Sequence, residues 1–173
     1  MCVIIIKIID VIGYSGSGKT HLITKAIRLF KKQLNYNVVV IKNVKHHQID
    51  NKGKDSHKFT ESGASYSIIK NKANDLGIFL KIKENDLEGI YDWLQKGPYI
   101  VDLLLTEGFR HLNHPTILCV SKLDEIESQL NENVKIISGI ICSSILNNDS
   151  FTEIPILEIE KEFQRFLKIF KIK

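Results

Sequence analysis

Gly13-Tyr14-Ser15-Gly16-Ser17-Gly18-Lys19-Thr20 has the spacing G-x-x-x-x-G-K-S/T. Each residue type in it suits the capture of phosphate. Gly13, Gly16 and Gly18 let the backbone turn so that successive N–H groups, including those of Ser15 and Ser17, point inward at anionic oxygens. A helix beginning just after the loop adds the positive end of its dipole. Lys19 has the reach for β and γ phosphates, and the Thr20 hydroxyl suits Mg²⁺. His21 follows directly and is counted with the nucleotide-binding residues.

A metal at such a loop needs a carboxylate, and parallel sheets place their sites at the carboxyl ends of strands. Asp102 opens the apolar run 100–105, whereas Glu107 lies just past its end. Glu107 is therefore expected to hold metal or position water, and with Lys19 it forms the candidate catalytic pair. Asp102 is expected to be a solvated carboxylate. Gly108 lets the backbone come close to a γ-phosphate. Asp10, inside an apolar run, has no expected role.

Two further segments carry chemistry. The polar stretch from Lys42 to Ser56 contains Lys45, His46, His47, Asp50, Lys54 and Asp55. It follows a strand and is expected on the same edge as the phosphate loop, with cations for anionic groups and Asp50 as a further carboxylate for metal. Adjacent histidines point apart on any regular element, and no cysteine lies nearby, so a zinc site is not expected. Ser121-Lys122-Leu123-Asp124 is close to the N-K-x-D pattern that reads guanine. An aspartate there would accept from N1–H and the 2-amino group, a donor pair adenine lacks. A plain helix N-cap at Ser121 or Asp124 is the other reading of the same residues. Small polar residues at Cys142-Ser143-Ser144 are also placed to touch a base.

These residues need elements to hold them. Residues 3–12 read as a buried strand, Lys19 to about Leu34 as an amphipathic helix, and 38–41 as a second buried strand. Residues 43–64 read as a long polar loop, and such loops in compact domains are usually functional. Short strands are expected at 66–69 and 78–80, and a helix at 86–94 ended by Gly97-Pro98. Strands follow at 100–105, 116–120, 134–142 and 154–157, with helices at 124–130 and 158–169. Continuous apolar strands alternating with helices argue a mostly parallel sheet flanked by helices in three layers, as one domain over 1–173.

Composition narrows the class. The chain has 173 residues, 43% hydrophobic and 25% charged, which suits a globular domain with its own core. Such a domain buries roughly 70% of its unfolded surface and needs no staple. Lys+Arg 24 against Asp+Glu 20 leaves +4, too mild and too scattered for a dedicated nucleic-acid binder. No run reaches the roughly 18 apolar residues of a membrane span. Cys2, Cys119 and Cys142 are scattered without a C-x-x-C pair, so reduced thiols and a cytoplasmic setting are expected. The apolar start lacks a basic leader, so a strand is expected there rather than an export signal.

Taken together, the phosphate loop, the Lys45-His46-His47 and Gly53-Lys54-Asp55-Ser56 elements, Ser62-Gly63-Ala64 and Thr106-Glu107-Gly108-Phe109 resemble the molybdopterin-guanine dinucleotide biosynthesis protein B (MobB) family. The resemblance implies a GTP-binding protein of P-loop type, usually a homodimer, with weak Mg²⁺-dependent GTPase activity. It implies a role assisting the guanylyltransferase that joins GMP to molybdopterin. On it, Lys19 and Thr20 serve phosphates and Mg²⁺, and Glu107 serves the metal. His46, His47, Asp50, Lys54 and Asp55 line a switch loop facing nucleotide or pterin. The sequence departs from the family at His21, Ser62 and Lys58, where Thr, Ala and Arg are usual.

The alternative on the same scaffold is a small-molecule kinase. Such enzymes clamp the transferring phosphoryl group with several arginines. This chain has Arg28, Arg110 and Arg165 only. The first and last fall in expected helices, so Arg110 alone is expected near the site.

Overall fold

Val, Ile and Leu in unbroken runs make strands buried on both faces, and such strands assemble in parallel. Four of these runs become β1 (Lys7–Ile12), β5 (Leu103–Glu107), β6 (Thr116–Cys119) and β7 (Val134–Ser138). With β2 (Val38–Lys42) they form one sheet in the order β2-β5-β1-β6-β7, every pairing parallel. The computed structural model describes residues 6–46, 48–82, 87–144, 150–151 and 153–173. Cys2, residues 3–5 of the first expected strand, His47 and Asp86 lie outside the described residues.

Side chains alternate across this sheet. On one face Ile9, Val11, Leu103, Leu105, Ile117 and Ile136 pack against Leu22, Ile23, Ala26 and Phe30 of α1 (Lys19–Leu34) and against Phe163, Phe166 and Leu167 of α4 (Phe163–Ile169). On the other, Ile12, Leu118, Val120 and Ile137 meet Ile126 and Ile141 from short 3₁₀ turns. The expected parallel sheet flanked by helices is thus what forms.

By its internal contacts the chain divides into two compact units, residues 1–43 with 95–173, and residues 44–94. In the second unit, β3 (Tyr66–Lys70) and β4 (Leu76–Leu80) make an antiparallel ribbon of their own. It also holds α2 (Asp55–Glu61) and most of α3 (Glu88–Lys96).

Several expected elements change. β2 is an edge strand, and its residues are half-buried or exposed rather than buried. α2 lies within the stretch read as a loop; it buries only Ser56, so no apolar period announces it. The helix expected at 124–130 is two 3₁₀ turns, Leu123–Glu125 and Glu127–Gln129. The strand expected to reach residue 142 ends at Ser138, because Gly139 takes φ 98° and a 3₁₀ turn, Ile140–Ser143, follows. β8 (Ser150–Phe151) and β9 (Ile154–Pro155) pair briefly, and α4 starts five residues later than 158.

Asp10 finds its account here. Its buried carboxylate accepts from Thr106 Oγ1 at 2.7 Å and from the His114 backbone N–H at 3.3 Å, with His114 Nδ1 at 3.2 Å. It is a paired core acid, and its partners come from distant sequence.

Candidate functional site

β1 ends at Ile12, the chain turns through residues 13–18, and α1 begins at Lys19. The turn depends on glycine. A Cβ at Gly13, where φ is 146°, would lie 2.2 Å from the Cys119 carbonyl oxygen and 2.6 Å from Ser17 Oγ. Gly18 caps α1 in the left-handed region, and no side chain caps the helix start. The first-turn amides of Lys19, Thr20 and His21 therefore have no acceptor within the helix. Ser17 Oγ is buried without a hydrogen-bond partner. A row of open donors at the positive end of a 16-residue helix suits a polyanion.

Lys19 folds back over the loop. Its Nζ donates to Gly13 O at 3.0 Å and Tyr14 O at 2.7 Å. Burial pulls its pKa below the ordinary lysine value, with Glu107 opposing and the nearby charges of Arg110 and Lys42 adding to the fall. An arriving anion would reverse that balance, because it favours the charged ammonium.

Thr20 Oγ1 donates to Glu107 Oε1 at 3.1 Å and Oε2 at 3.3 Å. Glu107 is buried at the carboxyl end of β5. The hydroxyl and the carboxylate expected to serve a metal are thus in contact. Mg²⁺ is commonly held by one or two protein oxygens, phosphate oxygens and waters, and this donor set fits it. Among the described residues no cluster of three or more His, Cys, Asp or Glu offers an all-protein metal cage.

Lys42 opens the polar stretch singled out above, but its partners were not expected from the sequence. Its Nζ lies 3.1 Å from Glu107 Oε1 and 3.4 Å from Thr20 Oγ1. The register Lys42↔Glu107 puts the two at the ends of neighbouring strands. The available signal was a lysine closing an apolar strand, at the edge where the site was already expected.

Arg110 is near the loop, as expected. It lies over the Tyr14 ring at 5.3 Å and donates from Nη2 to Gln129 Oε1 at 2.6 Å. Tyr14 in turn contacts Ser128 Oγ at 3.3 Å. Asp102 is half-exposed and lies away from the phosphate loop, as expected, but it is paired. At the opposite edge it accepts from the Asn37 backbone N–H at 2.7 Å and side-chain amide at 3.0 Å.

Asp124 is exposed in its 3₁₀ turn, and neither it nor Ser121 caps that turn. The carboxylate that turns inward is that of Glu125, which accepts from the Ser121 N–H at 2.9 Å. In the second unit, Asp50 accepts from Ser56 Oγ at 2.7 Å and Asp55 pairs with Lys58 at 3.4 Å. Lys45, His46 and Lys54 are exposed there.

Known proteins align with this arrangement. Residues 8–142 match the family described as molybdopterin guanine dinucleotide synthesis protein B, MobB. A putative molybdopterin-guanine dinucleotide biosynthesis adapter protein of Methanocaldococcus jannaschii is 32% identical over 123 residues, 68% of this chain and 49% of its own length. The molybdopterin-guanine dinucleotide biosynthesis adapter protein of Haemophilus influenzae is 36% identical over 117 residues, 65% of this chain and 62% of its own. The chain thus spans about half to three-fifths of these relatives. A crystal structure of molybdopterin-guanine biosynthesis protein B superposes with TM-score 0.68 at 25% identity, covering 95% of this chain and 99% of that one. Bacillus subtilis MobB superposes with TM-score 0.70 at 21% identity, covering 96% and 98%, and so speaks for the fold alone.

Proposed function

The chain belongs to the MobB family, and on that premise we propose that it is a GTP-binding adaptor with weak Mg²⁺-dependent GTPase activity. Its task on this reading is to assist a guanylyltransferase that attaches GMP to molybdopterin. The observation that carries nucleotide binding is the uncapped start of α1 behind a glycine-dependent loop, with Lys19 folded over it.

On triphosphate arrival, Lys19 releases the Gly13 and Tyr14 carbonyls and turns its ammonium to the β and γ phosphates. The amides of residues 13–20 take the remaining oxygens. Thr20 and Glu107 would hold Mg²⁺, and Lys42 would give up its contact with Glu107. Magnesium bound there would neutralise phosphate charge. Arg110 is occupied by Tyr14 and Gln129, which agrees with slow hydrolysis rather than phosphoryl transfer to a small acceptor. Lys45, His46, His47, Lys54 and Asp55 are the proposed switch residues.

The test is calorimetric. Lys19→Ala is expected to weaken triphosphate binding at least tenfold. Unchanged affinity would refute the assignment, and stoichiometric phosphoryl transfer to a pterin would favour a kinase instead. A homodimer follows from the same family reading. It is supported by the ribbon, whose cross-strand pairs Tyr66↔Leu80 and Ile68↔Ile78 leave apolar side chains 37–58% exposed.

A further inference from the structure

A triphosphate held by residues 13–20 must lead its nucleoside somewhere, and the described residues offer a place contiguous with the loop. A cavity of about 300 Å³ opens beside Gly18, between the first two turns of α1, the turn after β7 and the segment after β9. His21 and Lys25 form one wall, Gly139, Ile140 and Ser143 another, and Glu158 the third. These walls are tied to the phosphate loop. The Ile140 N–H donates to Ser17 O at 3.2 Å, and a Cβ at Gly139 would lie 2.4 Å from that same oxygen.

Glu158 reaches this edge for a topological reason. Ile156 bridges Ile137 in parallel, and the Leu157 N–H donates to Ile137 O at 2.9 Å. The chain then emerges at the carboxyl end of the sheet, beside the end of β7, where parallel sheets take their ligands. The Glu158 carboxylate is partly buried. Among the described residues, Oε2 pairs with Lys161 at 2.7 Å, while Oε1 has Lys25 at 4.0 Å. That leaves acceptor capacity facing the cavity. Asp124, the carboxylate expected to read the base, is exposed and is not part of the lining.

We propose that this cavity is the nucleobase pocket and that Glu158 is its specificity-determining residue, accepting hydrogen bonds from guanine N1–H and the 2-amino group. The inference rests on the triphosphate reading above and names its base-recognition element. The chemistry selects guanine: adenine presents no adjacent donor pair, so its binding would leave the carboxylate unmatched. His21 and Lys25, one turn apart on α1, then flank the sugar side of the ligand.

Affinities of GTP, ITP, ATP and inorganic tripolyphosphate, each with Mg²⁺, separate the possibilities. The full chain is expected to prefer GTP over ITP and ITP over ATP. Glu158→Gln should weaken GTP at least tenfold and leave ATP within twofold. Ser143→Trp, at an exposed position on the rim, should weaken GTP and ATP alike and leave tripolyphosphate within twofold. A GTP preference that survives Glu158→Gln, or that is lost instead in Asp124→Asn, overturns this assignment and leaves the triphosphate reading intact. Equal binding of GTP and ATP by the unaltered chain does the same. Failure of tripolyphosphate and every nucleotide to bind overturns both.

Discussion

At the scale of single residues, the candidate site is held together by groups that satisfy one another. Lys19 occupies two loop carbonyls, and Thr20 and Lys42 share Glu107. Cys119, directly beneath Gly13, is different. It is fully buried, and burial pushes its thiol pKa from the ordinary 9.0 up to about 12. Between those values the unfolded chain loses a proton that the folded chain keeps. Stability therefore falls as pH rises above about 9, by up to about 1.4 kcal/mol per pH unit from this group, and is untouched by it below. Denaturant titrations from pH 8 to 10.5 should show a shallower decline in Cys119→Ala than in the unaltered chain. Parallel declines would contradict the burial argument. Glu107 was legible in the sequence, because an acid just past an apolar run needs only strand direction to be placed. Lys42 and Asp10 were not, because their partners, Glu107, Thr106 and His114, are set by register and by a long-range loop that no local pattern encodes.

At the scale of elements, α1 is the best specified. Its apolar spacing fixes both the residues it buries and the face it presents, and its bounds match those expected from sequence. Phe30 is its anchor. It is fully buried and its ring meets Tyr36, Phe163 and Phe166 at 5.2–6.0 Å. Phe30→Ala is expected to cost about 3–5 kcal/mol, read from the midpoint of urea unfolding. A loss below about 1 kcal/mol would mean that this cluster does not secure the helix. Elements whose limits depend on backbone strain were less legible. The run 134–142 is apolar throughout, yet Gly139 must take positive φ to pass under the Ser17 carbonyl. Residues 158–162 carry charge at helical spacing, yet they turn before α4 begins.

At the scale of the whole molecule, alternating strand and helix in the sequence sufficed for the class of sheet. The separate ribbon of β3 and β4 was read only as two short strands. A two-stranded ribbon is marginal by itself, and here one face keeps Tyr66, Ile68, Ile78 and Leu80 in contact with water. Burying that face against a second copy is the expected outcome. Sedimentation should give a dimer for the unaltered chain and a monomer for Ile68→Lys combined with Ile78→Lys. A monomeric unaltered chain would remove the case.

The pairing of β2 with β5 has a geometric corollary. At its amino end, Asp102 and Leu103 clasp Asn37 through four hydrogen bonds, three of them made by Asp102. Five residues further on, the same pairing brings Lys42 opposite Glu107. A slip of one position would carry either side chain roughly 3.3 Å along the strand and turn it to the other side of the sheet. The buckle at one end thus acts as a vernier for the other: an aspartate at the far end of the strand sets where the acid beside Thr20 can stand.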